Sequence, residues 1–401
     1  MLACLLSVVG LAAPSLAAST VCGPSAGASL CLTVPSGPLS GEQTISAVWS
    51  GTARSYTVEF RFAGSYLNYE YQSPYSFIWP TDKSLDGTYR LRARVHEGGI
   101  EGDYVSTVVH LVNGNMVSIP RSPGSFRALF RPRAGSTTIA AVGNAGAEKT
   151  DELDLERYIE STSPTAFLYL GEVHEFGTWA SRRDHYGLAA FDDPKGRGTL
   201  WGRMARYTLA TPGNHERDYI TEYRDYWHER PLWSTTVIDG VRIYDLTSEC
   251  GANGGCRVAG AQAQWLRSRL ARDSERCTLS FWHRPVVSMD SARSGPIMNV
   301  IWHMLARSGG DLVLNADTRE MEELAPMNSH RQTGRPHSHM VELVSGAAAA
   351  RWVISHASDR RVAWHLYKTP GAVYVHRHAH TLQWRFRDSK GTLLRSGHVH
   401  C

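Results

Sequence analysis

The feature that most constrains the fold is a series of short apolar runs: "TTIAAVG", "TAFLYLG", "YTLAT", "VRIYDL", "CTLSFW" and "DLVLN", spread over residues 137–315. Their apolar character is nearly continuous, which reads as strands buried on both faces. Between some of them lie segments with helical spacing. Ile297, Val300, Ile301, Met304 and Leu305 form one, stopped by Gly309 and Gly310, and Ala261, Trp265, Leu266 and Leu270 form another. Strands alternating with helices predict an α/β layered domain, with some antiparallel strands, over residues 137–401.

The region before it has a different period. In "SYTVEFRF", Val58, Phe60 and Phe62 alternate with Thr57, Glu59 and Arg61, and "TYRLRARV" alternates apolar residues with three arginines. Period two with turn signals such as Asp86-Gly87 predicts half-buried antiparallel strands and a small β-sandwich over residues 29–113. The wording "YSFIWPTDKSLDGTYRLRARVHEGG" resembles bacterial immunoglobulin-like domains that accompany extracellular catalytic domains. Residues 114–136, rich in Gly, Ser, Pro and Arg, read as a linker.

Residues 1–18 combine an apolar run with a small-residue zone, as in a secretory signal cut near Ala17 or Ala18. The expected location is therefore secreted, periplasmic or at the cell surface. No segment approaches the ~20 apolar residues of a membrane span. Six cysteines follow the signal, an even number that suits disulfides in an oxidising compartment. Short loops favour Cys22–Cys31 and Cys250–Cys256, which leaves Cys277–Cys401; free buried thiols are the alternative. The 42 basic and 38 acidic residues are spread along the chain, which argues against a nucleic-acid face. Nothing in the sequence fixes an oligomeric state.

In an α/β sheet ligands gather at the carboxyl ends of the strands. Those ends carry Gly143-Asn144, Gly171-Glu172, Gly213-Asn214-His215, His283 and Asp317-Thr318-Arg319. The segments "AVGNAG", "YLGEVHEFGT", "TPGNHE", "LSFWHRPVVS" and "DLVLNADTREMEELAP" resemble, in order and wording, the calcineurin-like metallophosphoesterases, above all exported members with a core like that of the purple acid phosphatases. The resemblance covers residues 137–401. It implies a four-layer α/β/β/α sandwich and hydrolysis of a phosphoester by two metals sharing a bridging carboxylate and hydroxide. It also implies that Asn214 is a metal ligand, that His215 protonates the leaving oxygen, that Glu216 supports them, and that the partner is a phosphoester or phosphorylated ligand.

Most of the family's ligands have changed. The first aspartate is Asn144, a poorer ligand for a hard cation. The bridging aspartate is Glu172, and the motif's tyrosine is Glu175. The two final histidines are Asp317 and Arg319. Arg319 cannot deprotonate to become a ligand; it is expected to fill the vacated space and pair with Glu172 or Glu175. Glu172, Asn214, His283 and Asp317 remain as an expected set for one divalent metal (manganese, iron or zinc), the alternative being no metal at all. Three functions follow: a pseudo-phosphoesterase or very weak hydrolase, an active single-metal hydrolase, or a binding protein working through its immunoglobulin-like domain. Outside this set, His376, His378 and His380 share a strand face, expected to be solvent-facing. His337 and His339 are expected in a polar loop near the cleft. "GANGGC" reads as a disulfide-closed turn.

Overall fold

A computed structural model describes residues 17–401 apart from 53–55, 63–64, 84–85, 98–99, 115–128, 135–137, 146–149, 174–176, 178, 193–194, 229, 251–255, 291–294 and 349–357. Residues 1–16 of the signal expected at 1–18, most of the linker expected at 114–136, and Glu175 lie outside the described residues. The chain divides into two compact units between Asn115 and Met116.

The first unit holds strands β1 (Ala18–Ser25), β2 (Ala28–Pro35), β3 (Pro38–Leu39), β4 (Glu42–Trp49), β5 (Tyr56–Phe62), β6 (Ser65–Glu70), β7 (Tyr75–Pro80), β8 (Gly87–Glu97), β9 (Ile100–Glu101) and β10 (Val105–Leu111). They form two sheets, ordered β1-β2-β4-β7 and β3-β10-β8-β5-β6, with β9 on β8. Phe60 and Phe62 of β5 meet Phe77 and Trp79 of β7 with ring centroids 5.0 and 4.7 Å apart, so the sheets pack face to face. The alternation read in "SYTVEFRF" places these rings on the inner face. Strand β1 begins ahead of residue 29, where the sequence suggested the unit starts. Gly23 and Pro24 blur its alternation, and the Cys22–Cys31 disulfide joins it to β2.

The second unit holds β11 (Thr138–Val142), β12 (Ala166–Tyr169), β13 (Thr208–Ala210), β14 (Ser234–Ile238), β15 (Val241–Asp245), β16 (Cys277–Phe281), β17 (Leu312–Asn315), β18 (Met321–Leu324), β19 (Val341–Ser345), β20 (Val362–Leu366), β21 (Gly371–His378), β22 (Thr381–Asp388) and β23 (Leu393–His400). Its helices are α1 (Thr150–Ser161), α2 (Trp179–His185), α3 (Ile220–Tyr226), α4 (Ala261–Leu270) and α5 (Asn299–Arg307). One sheet runs β13-β12-β11-β21-β22-β23, the other β14-β15-β16-β17-β19-β18-β20. Strands β11, β12 and β13 are parallel, as are β15, β16, β17 and β19.

Alternation along the second sheet fixes the layering. Ile243, Leu279, Phe281, Leu312, Leu314 and Leu343 join Val373, Val375, Trp384 and Phe386 of the first sheet in one core. Tyr244, Val313 and Val344 point the other way and pack with Leu266 of α4 and Ile301, Trp302 and Leu305 of α5. Leu155 and Ile159 of α1 join the core around the first sheet. A disulfide between Cys277 and Cys401 ties the start of β16 to the residue after β23, and Cys250 bonds Cys256. Among the described residues no helix is long and apolar enough to cross a membrane.

Candidate functional site

Parallel register brings the strand ends to one edge. Val142, Tyr169 and Ala210 stand level in the first sheet, and Phe281 and Leu314 in the second. The chain then turns sharply after each strand. Asn144, Glu172, Asp317 and Arg319 all have positive φ, between 59° and 63°, a region that non-glycine residues rarely adopt. Strain of this kind persists only where surrounding structure imposes it. Gly171 is obligatory: its φ is +90°, and a Cβ there would stand 2.7 Å from the Gly213 amide and 2.8 Å from His283 Nδ1.

Glu216 clamps these turns together. Its Oε2 accepts the N–H groups of Glu172 (2.9 Å) and Gly213 (2.6 Å), and its Oε1 accepts that of Val173 (2.8 Å). One buried carboxylate therefore satisfies three loop donors and locks the Glu172 turn to the Asn214 turn.

The side chains expected at the site converge, except Glu175, which is not described. Glu172 is at the centre and is buried. Arg319 donates to its Oε1 at 2.8 Å and Asn144 donates Nδ2–H to its Oε2 at 2.7 Å. Asn144 Oδ1 in turn accepts the Asp317 amide at 3.1 Å. His215 Nε2 stands 3.7 Å from Glu172 Oε1. His283 Nδ1 faces the Leu170 carbonyl at 2.7 Å, and its Nε2 faces Asn214 Oδ1 at 2.8 Å. Burial would raise the Glu172 pKa, but the charges of His215, Arg319 and His283 outweigh it and hold the carboxyl below its usual range. Burial opposes charge on His283, yet the neighbouring Asp317 carboxylate, with the charges of Glu172 and Glu249, pushes it up to about 9. Both ring nitrogens face acceptors, as a doubly protonated imidazolium requires.

Sequence reasoning missed two contributors. Arg284 donates Nε–H to buried Glu249 at 2.9 Å and adds a further ion pair beside the cluster. The signal for Arg284 was its place directly after His283 in "WHRP"; Glu249 gave none. The loop of His337 and His339 is a correction. These residues line a pocket with Arg307 and Gly309, at the edge where β17 begins rather than where it ends. Strand β18 returns antiparallel to β19, so the chain reaches the far edge before that loop starts. His376 and His378 lie on β21 and His380 in the turn that follows it.

Glu172, His283 and Asp317 are the one group among the described residues whose ligand atoms stand close enough for a metal, all within 4.8 Å of one another. His283 Nε2 is 3.6 Å from both Glu172 Oε2 and Asp317 Oδ1. Four-coordinate ligands at about 2.1 Å from an ion stand roughly 3.4 Å apart, so the set fits one metal, with Asn214 as a further oxygen. The anchored Nδ1 leaves Nε2 as the ligating atom. Among the described residues no second such set is present: the Arg319 guanidinium bonds the other oxygen of Glu172, and Asn144 turns an N–H rather than a lone pair toward the carboxylate.

Fold and site together define an α/β protein of two facing sheets with a buried polar cluster at its strand ends. Among solved structures the chain is similar to purple acid phosphatase PPD1 from yellow lupin (Lupinus luteus), at 11% identity and a TM-score of 0.54, over 93% of this chain and 79% of that one. It is also similar to GAP50, the anchor in the inner membrane complex of Plasmodium, at 12% identity and a TM-score of 0.51, over 66% of this chain and 88% of that one. No protein-family model and no curated protein sequence matches the chain.

Behind the site, buried carboxyls set a pH dependence. Glu322 accepts Ser288 Oγ–H at 2.6 Å and Glu342 accepts the Val286 amide at 2.8 Å; burial pushes both up to about 8 from the ordinary 4.5. Between those values the folded chain keeps protons that the unfolded chain has lost, so stability falls as pH rises. His283 acts in the same direction between 6.5 and about 9. The melting temperature should therefore decline from pH 5 to pH 9, and Glu342→Gln should flatten the decline. A melting temperature that climbs over this window would contradict the assignment.

Proposed function

We propose that this chain is an exported phosphoesterase-fold protein in which an internal ion pair has replaced one metal of a two-metal centre, and that it binds a phosphorylated ligand rather than turning it over at phosphatase rates. The observation that carries this reading is the double occupation of Glu172: Arg319 on one oxygen and Asn144 on the other. A two-metal centre clamps the transferring phosphoryl group from both sides, which supplies several kcal/mol of transition-state stabilisation. A guanidinium already committed to Glu172 cannot replace that clamp. GAP50, of the same fold, is an anchor, which supports a role built on attachment. Three disulfides support export through residues 1–18. We read the first unit as an immunoglobulin-like spacer or binding module.

One observation favours a second reading, a single-metal hydrolase. Glu172, His283 and Asp317, with Asn214, would hold the ion, which would polarise a phosphoester oxygen. His215, partly exposed beside Glu172, is placed to hold the proton for a leaving oxygen. A phosphatase assay on an aryl phosphate with manganese, iron or zinc separates the two. The expected result is activity at or near background; ordinary turnover would overturn the binding reading. Any metal uptake should increase as pH approaches about 9, because His283 must surrender its Nε2 proton first.

A further inference from the structure

The outer face of the C-terminal meander carries a second set of polar groups. Register places Tyr374 opposite Arg385, and His376 opposite Gln383, on the face turned away from Val373, Val375, Trp384 and Phe386, where Tyr374 packs against Tyr158 of α1 with ring centroids 6.0 Å apart. Tyr374, His376, Gln383, Arg385 and Arg387 line a pocket of about 290 Å³, closed on one side by Tyr158 of α1. No carboxylate lines it. It also takes in Thr138, the first residue of β11, and so lies across roughly 13 Å of strand from the Asn144 turn.

Two features point to a ligand. Tyr374 is 7% exposed, yet its hydroxyl has no hydrogen-bond partner, which is costly for a buried polar group. Arg385 is exposed, and among the described residues its guanidinium pairs with no side chain. Arg387 donates to the Gly391 carbonyl at 2.6 Å, which fixes its direction.

We propose that this pocket is a second binding site, for a small hydroxyl-bearing oxyanion of the sugar phosphate or sugar acid class. The Arg385 fork pairs with either a phosphate or a carboxylate. Gln383 and the Tyr374 hydroxyl supply partners for ligand hydroxyls, and the Tyr158 ring offers a flat apolar wall. The site does not depend on the strand-end cluster or on any metal.

Calorimetric titration of the full chain with glucose 6-phosphate, glucuronate and glucose tests it. At least one anion should bind, with glucose about tenfold weaker or more, the scale of one charge-assisted hydrogen bond. Binding of the phosphate alone identifies an ester ligand, and binding of glucuronate extends the class to sugar acids. Arg385→Ala, at an exposed position, should keep the fold and weaken binding about tenfold. Tyr374→Phe should weaken it several-fold without lowering the melting temperature, which a merely structural hydroxyl would not allow. Anions that bind no better than glucose would overturn the proposal, as would anion binding that is unchanged in Arg385→Ala.

Discussion

Arg319→Ala should lower the stability of the second unit by about 3 kcal/mol, the scale for removing one partner of a buried ion pair. Arg319 is 9% exposed and Glu172 4% exposed, so the carboxylate would lose its counter-charge in a largely dehydrated setting. Asp317 crowds the same space, and two carboxylates without a counter-charge would each tend to take up a proton. For a unit of this size the loss corresponds to roughly 5 °C in melting temperature. Added manganese should restore part of it by entering between Glu172, His283 and Asp317. Arg319→His combined with Asn144→Asp should go further and raise metal uptake, since both changes return lone pairs to the carboxylate's surroundings. Melts of Arg319→Ala that match the unmodified chain and ignore manganese would mean that the ion pair does not hold the site.

Glu216→Ala should cost as much for a different reason. It strands the N–H groups of Glu172, Val173 and Gly213 in a buried environment. Each unsatisfied donor costs about 1–3 kcal/mol, so the sum is roughly 3 kcal/mol or more. Glu216→Gln keeps one acceptor oxygen and should fall between. Manganese should rescue neither variant, because the lost interaction is with backbone amides rather than with a counter-charge. This contrast separates the two roles in one set of melts. A Glu216→Ala melting temperature equal to that of the unmodified chain would refute the clamp.

Much of the site was legible in the sequence because parallel strands buried on both faces leave few places for polar residues. Gly143-Asn144, Gly171-Glu172 and Gly213-Asn214-His215 stood at the ends of apolar runs, and parallel register then required them to meet. Arg319 could be paired in advance with Glu172 or Glu175, because a permanent cation among acidic neighbours has few alternatives; it bonds Glu172, and Glu175 lies outside the described residues. What escaped notice depends on contacts distant in sequence. The run "MEEL", with two adjacent carboxylates, carries no local sign of burial, yet it is β18, where Glu322 is wholly buried and bonded to Ser288. The antiparallel return of that strand also carries His337 and His339 away from the cleft. Glu249 lies before a cysteine with no local pattern, and only folding sets it against Arg284.

The central claim is that the Arg319–Glu172 pair stands where a two-metal centre would need its first ion. Metal content tests it most directly: the purified chain is dialysed against excess manganese, iron or zinc, then against buffer, and analysed for bound metal per chain. No more than one equivalent is expected, because Glu172, His283 and Asp317 form one ligand set and Arg319 closes the other side. Two equivalents retained would contradict the account.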